Sequence, residues 1–125
     1  MSQYFECDGV TLWNPSNGVA GLFLRQVALY EVELGSASGI GPMEDDEATV
    51  DPLALRAFAT ALLARYGRTR HPVLMALSDG FVATALVLAD RAGAAPAAEA
   101  FDAAGAARAA VLRERAQELG RAMHG

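Results

Sequence analysis

Residues 72–92, PVLMALSDGFVATALVLADRA, are apolar at almost every position and present no face suited to water. A helix that is hydrophobic on all sides belongs in the interior of a protein. Pro72 suits the first position of a helix, where a missing N–H costs nothing, and Gly93 is a typical stop. The stretch therefore predicts a central helix around which the other elements pack.

The same stretch approaches the length of a membrane span, but its middle argues against one. Ser78, Asp79 and Gly80 lie near the midpoint. A carboxylate at the centre of a bilayer costs about 2.5 to 3.5 kcal/mol. We therefore predict no membrane insertion, and either one buried helix or two short helices that meet at these three residues.

Composition and charge narrow the class of protein. The 125 residues fit a single domain, and all ten basic residues are arginine. Residues 1–51 hold nine acids and one arginine, whereas residues 52–125 hold six acids and nine arginines. This asymmetry predicts either attraction between the two halves or steering of a basic partner. It argues against nucleic-acid binding through the acidic half.

Several chemical classes lack their sequence signals. Cys7 is the only cysteine, which excludes an internal disulfide and a thiol-based metal cluster. Cys7, His71 and His124 offer no metal-ligand spacing, so no metal and no cofactor are predicted. The sequence also lacks the Rossmann, P-loop, HExxH and GxSxG motifs. The start, MSQYFECDG, has no apolar signal region, so we expect a cytoplasmic protein.

The remaining elements follow from turn residues and apolar spacing. Asp8-Gly9 separates two short runs of aromatic and β-branched residues, which predicts a β-hairpin within residues 1–14. Apolar residues spaced by three and four predict helices over 16–34, 52–66 and 96–123, in addition to 72–92. The predicted fold is mainly α, with the N-terminal hairpin packed on a bundle of about four helices around the central apolar one.

Residues 35–50, GSASGIGPMEDDEATV, have no period and predict a long acidic, glycine-rich loop. Loops of this length in compact domains are typically functional or disordered. Its densest charge cluster is Glu44, Asp45, Asp46 and Glu47. Four adjacent carboxylates point in different directions, which disfavours a metal site. The cluster is therefore either a solvated loop or a docking surface for a basic protein partner.

Three basic residues just before Pro72 form the candidate anion-binding site, namely Arg68, Arg70 and His71. Guanidinium groups and free helix N–H groups suit a phosphate or a carboxylate. The simpler alternative is that the two arginines pair with acids of the same chain. His71 is also a weak candidate for a general base, if a nucleophile lies within hydrogen-bond reach.

Asp79 is a carboxylate inside an apolar stretch, so it must be paired, protonated or exposed at a break in the helix. Three interpretations stay open: a structural kink or cap, an ion pair with Arg25 or Arg108, and a catalytic acid or base.

Several short motifs, TLWNPSNG over 11–18, FLRQ over 23–26, GIGPME over 39–44 and HPV over 71–73, resemble a small actinobacterial family of uncharacterised proteins, DUF6086. The resemblance covers residues 1 to about 92. It implies no activity, substrate or cofactor for any residue.

Taken together, these features favour a non-catalytic interaction or accessory protein that binds a partner through the acidic loop. An immunity-like neutraliser of a basic toxin is one concrete version. The thin apolar stripe of the alanine-rich last helix also suggests a homodimer through that helix. The alternative is a small enzyme or a small-molecule-binding protein with a pocket between the hairpin and the helices.

Overall fold

The computed structural model describes residues 2–96 and 103–124, which form a small sheet and four helices. The elements in chain order are β1 (Tyr4–Cys7), β2 (Val10–Trp13), α1 (Asn17–Leu34), β3 (Glu47–Thr49), α2 (Pro52–Tyr66), α3 (Pro72–Arg91) and α4 (Ala103–Gly120). The prediction of a mainly α fold with an N-terminal hairpin is confirmed. The first part of the helix predicted over 96–123 falls on residues 97–102, which lie outside the described residues.

The helix ends lie where local capping chemistry places them. The Ser16 hydroxyl accepts a hydrogen bond from the N–H of Val19 and caps α1. The Asp51 carboxylate accepts from the N–H of Leu53 and caps α2. Gly35 ends α1 in the left-handed conformation, with φ 61°, which glycine adopts without strain.

The sheet has the strand order β2-β1-β3. The β1 and β2 strands form the predicted antiparallel hairpin, and β3 runs parallel to β1. This third strand lies inside the stretch predicted to be a loop. It forms because the N–H of Val50 donates to the carbonyl of Glu6 and the N–H of Tyr4 donates to the carbonyl of Asp46. Such pairing depends on distant residues and leaves no local pattern.

The rest of the 35–50 stretch is anchored to the fold as well. Ser38 is fully buried, and its N–H donates to the Glu31 carboxylate on α1. Gly39 has φ 79°, and a side chain there would collide with the carbonyl of Asp51. The acidic loop therefore leaves α1 and enters β3 along a defined path.

The α3 helix is continuous through Ser78, Asp79 and Gly80. The Ser78 hydroxyl donates to the carbonyl of Leu74 one turn earlier, so it breaks no backbone hydrogen bond. One helix is thus present, and the two-helix alternative is wrong. By length and composition alone α3 could cross a membrane, yet half of its apolar window is buried within the fold.

The buried part of α3 belongs to an aromatic cluster that joins the sheet to three helices. Phe81 stacks on Tyr30 of α1, with 4.3 Å between the ring centroids, and lies 5.6 Å from Phe23. Trp13 of β2 meets Phe23 edge to face at 5.4 Å. Tyr66 of α2 meets Tyr30 in the same way at 5.4 Å. Trp13 is therefore a core anchor, 6% exposed.

Replacing Phe81 with alanine should lower the free energy of unfolding by about 3 to 5 kcal/mol, because a large cavity opens between α1, α2 and α3. Leu77→Ala on the same helix is the matched control, since Leu77 is 73% exposed. The control should cost less than about 0.5 kcal/mol. Urea unfolding followed by circular dichroism measures both, and equal losses would contradict this account of the core.

The folded protein should lose stability at alkaline pH. Burial raises the pKa of the Cys7 thiol, and the neighbouring Asp8 adds to the rise. Burial also raises the pKa of Tyr30 and of Tyr66. The folded state therefore holds these protons more tightly, so stability is constant below the unfolded pKa values, about 9 for cysteine and 10 for tyrosine, and falls above them.

Urea midpoints at neutral and alkaline pH check this prediction. Tyr30→Phe should show a smaller alkaline decline than the wild-type protein, because it removes one of the three protons involved. Tyr4→Phe, at an exposed tyrosine, is the control and should leave the decline unchanged. An identical pH profile for the Tyr30→Phe variant would refute the role given to Tyr30.

Candidate functional site

A cavity of about 570 Å³ lies between the α2–α3 connection and α4. Its lining combines cations with apolar atoms: Arg68, Thr69 and Arg70 come from the connection, Met75 from α3, and Arg108 and Val111 from α4. The connection is short because Tyr66 ends α2 and Pro72 begins α3. Arg68 and Arg70, which are close in the sequence, and Arg108, which is distant from them, thus line the same cavity.

Two of the three residues predicted to bind an anion line this cavity, and the third does not. Arg68 and Arg70 are both exposed on its wall. His71 instead caps α3, where its Nδ1 accepts a hydrogen bond from the N–H of Leu74 at 3.3 Å. The imidazole therefore has a structural partner of its own and is not part of the cavity lining.

Asp79 forms an ion pair with Arg108 of α4, one of the three interpretations left open by the sequence. Both side chains are 15% exposed, so the pair is largely removed from water. The α3 helix continues through Asp79, so Asp79 neither breaks the helix nor caps a helix end. The Nε of Arg108 is buried and has no acceptor among the residues that the structure describes.

The two weak catalytic candidates do not form a joint site. Asp79 lies eight positions after His71, which places the two residues about 12 Å apart along the axis of α3. A general base must lie within hydrogen-bond reach of the group it serves. Asp79 is engaged by a guanidinium, and His71 by a backbone N–H. Each candidate has a structural contact in place of a catalytic partner.

The acidic cluster forms a tight turn at the start of β3. The N–H of Glu44 donates to the carbonyl of Glu47 at 2.8 Å, and the reverse hydrogen bond is 3.0 Å long. Asp45 and Asp46 occupy the two central positions with φ 51° and 64°. Positive φ at both positions is characteristic of a type I′ turn, which Asp tolerates. All four carboxylate side chains are exposed.

The neighbouring face of the sheet continues this polar surface. Glu6 of β1 pairs in register with Thr49 of β3 and with Thr11 of β2, whose hydroxyl donates to the Glu6 carboxylate at 2.6 Å. Tyr4 is exposed beside Glu47. Alternate residues of β1 and β3 are buried, so this part of the sheet has one apolar face toward the core and one acidic face outward.

Direct pairing between the acidic and basic halves is not found in the described part of the chain. There, the one ion pair is Asp79–Arg108, and both partners belong to the basic half. The simpler alternative for Arg68 and Arg70, pairing with internal acids, likewise has no support within residues 2–96 and 106–124.

Arg91 is a structural residue that the sequence did not single out. Its guanidinium donates to the carbonyls of Leu12, Gly120 and Met123, at 2.8, 3.0 and 2.8 Å. It joins the end of α3 to β2 and to the end of α4. A basic residue in the last turn of a helix is expected to bond to nearby carbonyl groups. The sequence does not show that the carbonyls bonded by Arg91 come from distant parts of the chain.

Among the described residues, no group of three or more His, Cys, Asp or Glu side chains is placed to hold a metal ion.

One family model matches the chain, over residues 1–125, and its description is a family of unknown function, DUF6086. The chain belongs to this family. The DUF6086 match extends beyond the residues 1–92 expected from the resemblance and includes the alanine-rich helix that carries Arg108. No curated protein matches the chain. No solved structure matches it either.

The Asp79–Arg108 pair should behave as a buried structural contact. Asp79→Asn should lower the free energy of unfolding by about 2 kcal/mol, because it leaves a largely buried guanidinium without its counter-ion. Asp90→Asn, at an exposed position of the same helix, is the control and should have little effect. Urea unfolding of both variants makes the comparison.

A double variant separates the loss of the pair from the loss of an isolated charge. Asp79→Leu combined with Arg108→Met removes both charges and should restore stability to within about 1 kcal/mol of the wild-type protein. If Asp79→Asn costs no more than Asp90→Asn, the ion pair does not stabilise the fold.

Proposed function

We propose that this protein is a non-catalytic interaction protein that binds a basic protein partner through the acidic turn and the adjoining outer face of the sheet. The observation that carries the proposal is the contrast between two sets of polar groups. Asp79 and His71, the catalytic candidates, are occupied by structural contacts. The four carboxylates of the acidic turn are exposed and point to solvent from an ordered backbone.

Electrostatics favour a partner of positive charge. The first 51 residues contain nine acidic residues and one arginine. On the outer face of the sheet, Glu6 lies close to the acidic turn and extends its negative surface. A surface of one sign raises the local concentration of oppositely charged molecules and speeds their association. Exposed Tyr4, next to Glu47, offers an aromatic contact of the kind that is enriched at interfaces.

The order of the turn supports binding as well. Reciprocal hydrogen bonds between Glu44 and Glu47, together with the pairing of β3 to β1, hold the backbone before any partner arrives. A surface that is already ordered loses less conformational entropy on binding. The acidic turn therefore suits recognition of a defined partner better than a flexible acidic segment would.

An immunity-like role, in which the acidic surface neutralises a basic toxin in the cytoplasm, is the concrete form of this proposal. A homodimer through α4 is a separate prediction. Of the apolar stripe that motivates this prediction, Leu112 and Met123 are buried within one chain, whereas Val111 is 48% exposed.

The alternative function, an enzyme or a small-molecule-binding protein, requires a pocket between the hairpin and the helices. Two cavities beside the hairpin, of about 310 and 230 Å³, are lined by none of the candidates Asp79, His71, Arg68 and Arg70. The larger arginine-lined cavity lies elsewhere, and its use as a binding site is argued separately below.

Charge reversal at the two ends of the acidic turn tests the proposal. Glu44→Lys with Glu47→Lys leaves the central positive-φ residues intact. The control, Glu114→Lys with Glu118→Lys, makes the same change of charge at exposed positions on α4. The tagged wild-type protein first captures a partner from an extract of its own host. The purified partner is then titrated calorimetrically against all three proteins at low and high salt.

The expected partner is basic, and its affinity for the wild-type protein falls as salt rises. The turn variant should bind about tenfold more weakly at low salt, whereas the control should differ little. A partner that binds the turn variant and the wild-type protein equally at low salt would overturn the proposal.

A further inference from the structure

The cavity bordered by Arg68, Arg70 and Arg108 holds positive charge that the described residues do not neutralise. Arg108 is paired with Asp79, and the described structure gives Arg68 and Arg70 no acidic partner. Among the described residues that line the cavity, none is acidic. Two guanidinium groups that share one concave wall can hold an oxyanion by charge-assisted hydrogen bonds.

Other lining residues are apolar. Val111 of α4 is 48% exposed, and Met75 of α3, which lines the same cavity, is partly exposed. Apolar atoms left in contact with water inside a concave site favour a ligand that covers them. Methionine is unbranched and adapts its shape to irregular ligands. The cavity therefore pairs a cationic side with an apolar side.

Arg108 lines the cavity from α4, but its Nη2 is already engaged by Asp79. Its Nε is buried and has no acceptor in the described structure. Because a buried atom is out of reach of a ligand in the cavity, Arg68 and Arg70 are the groups left to hold an anion.

From these features we propose that the cavity binds a small amphipathic anion, an oxyanion head group such as a carboxylate or phosphate attached to a short apolar chain or ring. The head lies between Arg68 and Arg70, and the apolar group covers Met75 and Val111. The volume of about 570 Å³ falls in the range of small-ligand sites, which is about 300 to 1,000 Å³. This binding is independent of the acidic turn.

Four probes separate the parts of this proposal. Sodium octanoate and octyl phosphate carry the two head groups on the same chain, whereas inorganic phosphate lacks the apolar part and octanol lacks the charge. Calorimetric titration of the full chain should give measurable binding of octanoate, octyl phosphate or both. Phosphate and octanol should each bind at least about tenfold more weakly than the better of the two. The stronger of the two amphiphiles identifies the preferred head group.

Matched variants locate the binding. Arg68→Gln with Arg70→Gln should weaken the better amphiphile about tenfold, because both head-group contacts are removed. The control, Arg65→Gln with Arg121→Gln, removes the same charge at exposed positions outside the cavity and should leave the affinity nearly unchanged. Val111→Gln should weaken the amphiphile while leaving the response to inorganic phosphate unchanged.

Amide chemical shifts supply a readout that does not depend on affinity. Saturation with the better amphiphile should shift the backbone signals of Thr69, Met75 and Val111. The proposal is overturned if neither amphiphile binds, if the cavity variant and its control lose affinity equally, or if the shifted signals lie elsewhere. Equal affinity for phosphate and octyl phosphate would overturn the role of the apolar wall. Melting temperatures of all variants verify that each one is folded.

Discussion

Phe81 lies against Tyr30 and Phe23 in the middle of the molecule, and these ring contacts tie α3 to α1. Through Trp13 and Tyr66 the same cluster reaches the sheet and α2. Aromatic side chains bury large areas and add a geometric preference to that burial, so a few of them can join several elements. Much of the remaining core is alanine, leucine and valine. The relative placement of strands and helices therefore depends on this cluster more than on any polar contact.

The position of the cluster divides α3 into two parts with different roles. From Phe81 onward nearly every side chain is buried, whereas Val73 and Leu77 before it are exposed. Asp79 lies at the boundary, where α4 can reach it with Arg108 while some water contact remains. A carboxylate deeper in the helix would lose its hydration entirely. The arginine-lined cavity lies on the less buried part of α3, which contributes Met75 to its lining.

The acidic turn and the arginine-lined cavity show how far residue patterns predict a candidate site. The four consecutive acids and the Arg68, Arg70 pair are visible as local charge, and both are exposed as expected. Val111, Met75 and Arg108 could not be assigned to the same cavity from the chain alone, because they come from different elements. His71 is close to these arginines in the chain, yet its ring accepts a hydrogen bond from the N–H of Leu74. Adjacency in the chain predicts a shared loop, but not a shared direction of the side chains.

The sequence by itself determined the local structure: the hairpin at Asp8-Gly9, the caps at Ser16 and Asp51, the stop at Gly35 and the helical form of the long apolar stretch, of which half is buried. These features depend on groups within a few residues of one another, so local patterns contain them. Tertiary structure alone decided the parallel pairing of β3, the choice of Arg108 for Asp79 and the contact of Arg91 with a carbonyl 79 residues away. Those contacts form only after packing has brought distant segments together. The chain has ten arginines, and no local pattern shows which of them will reach a given partner.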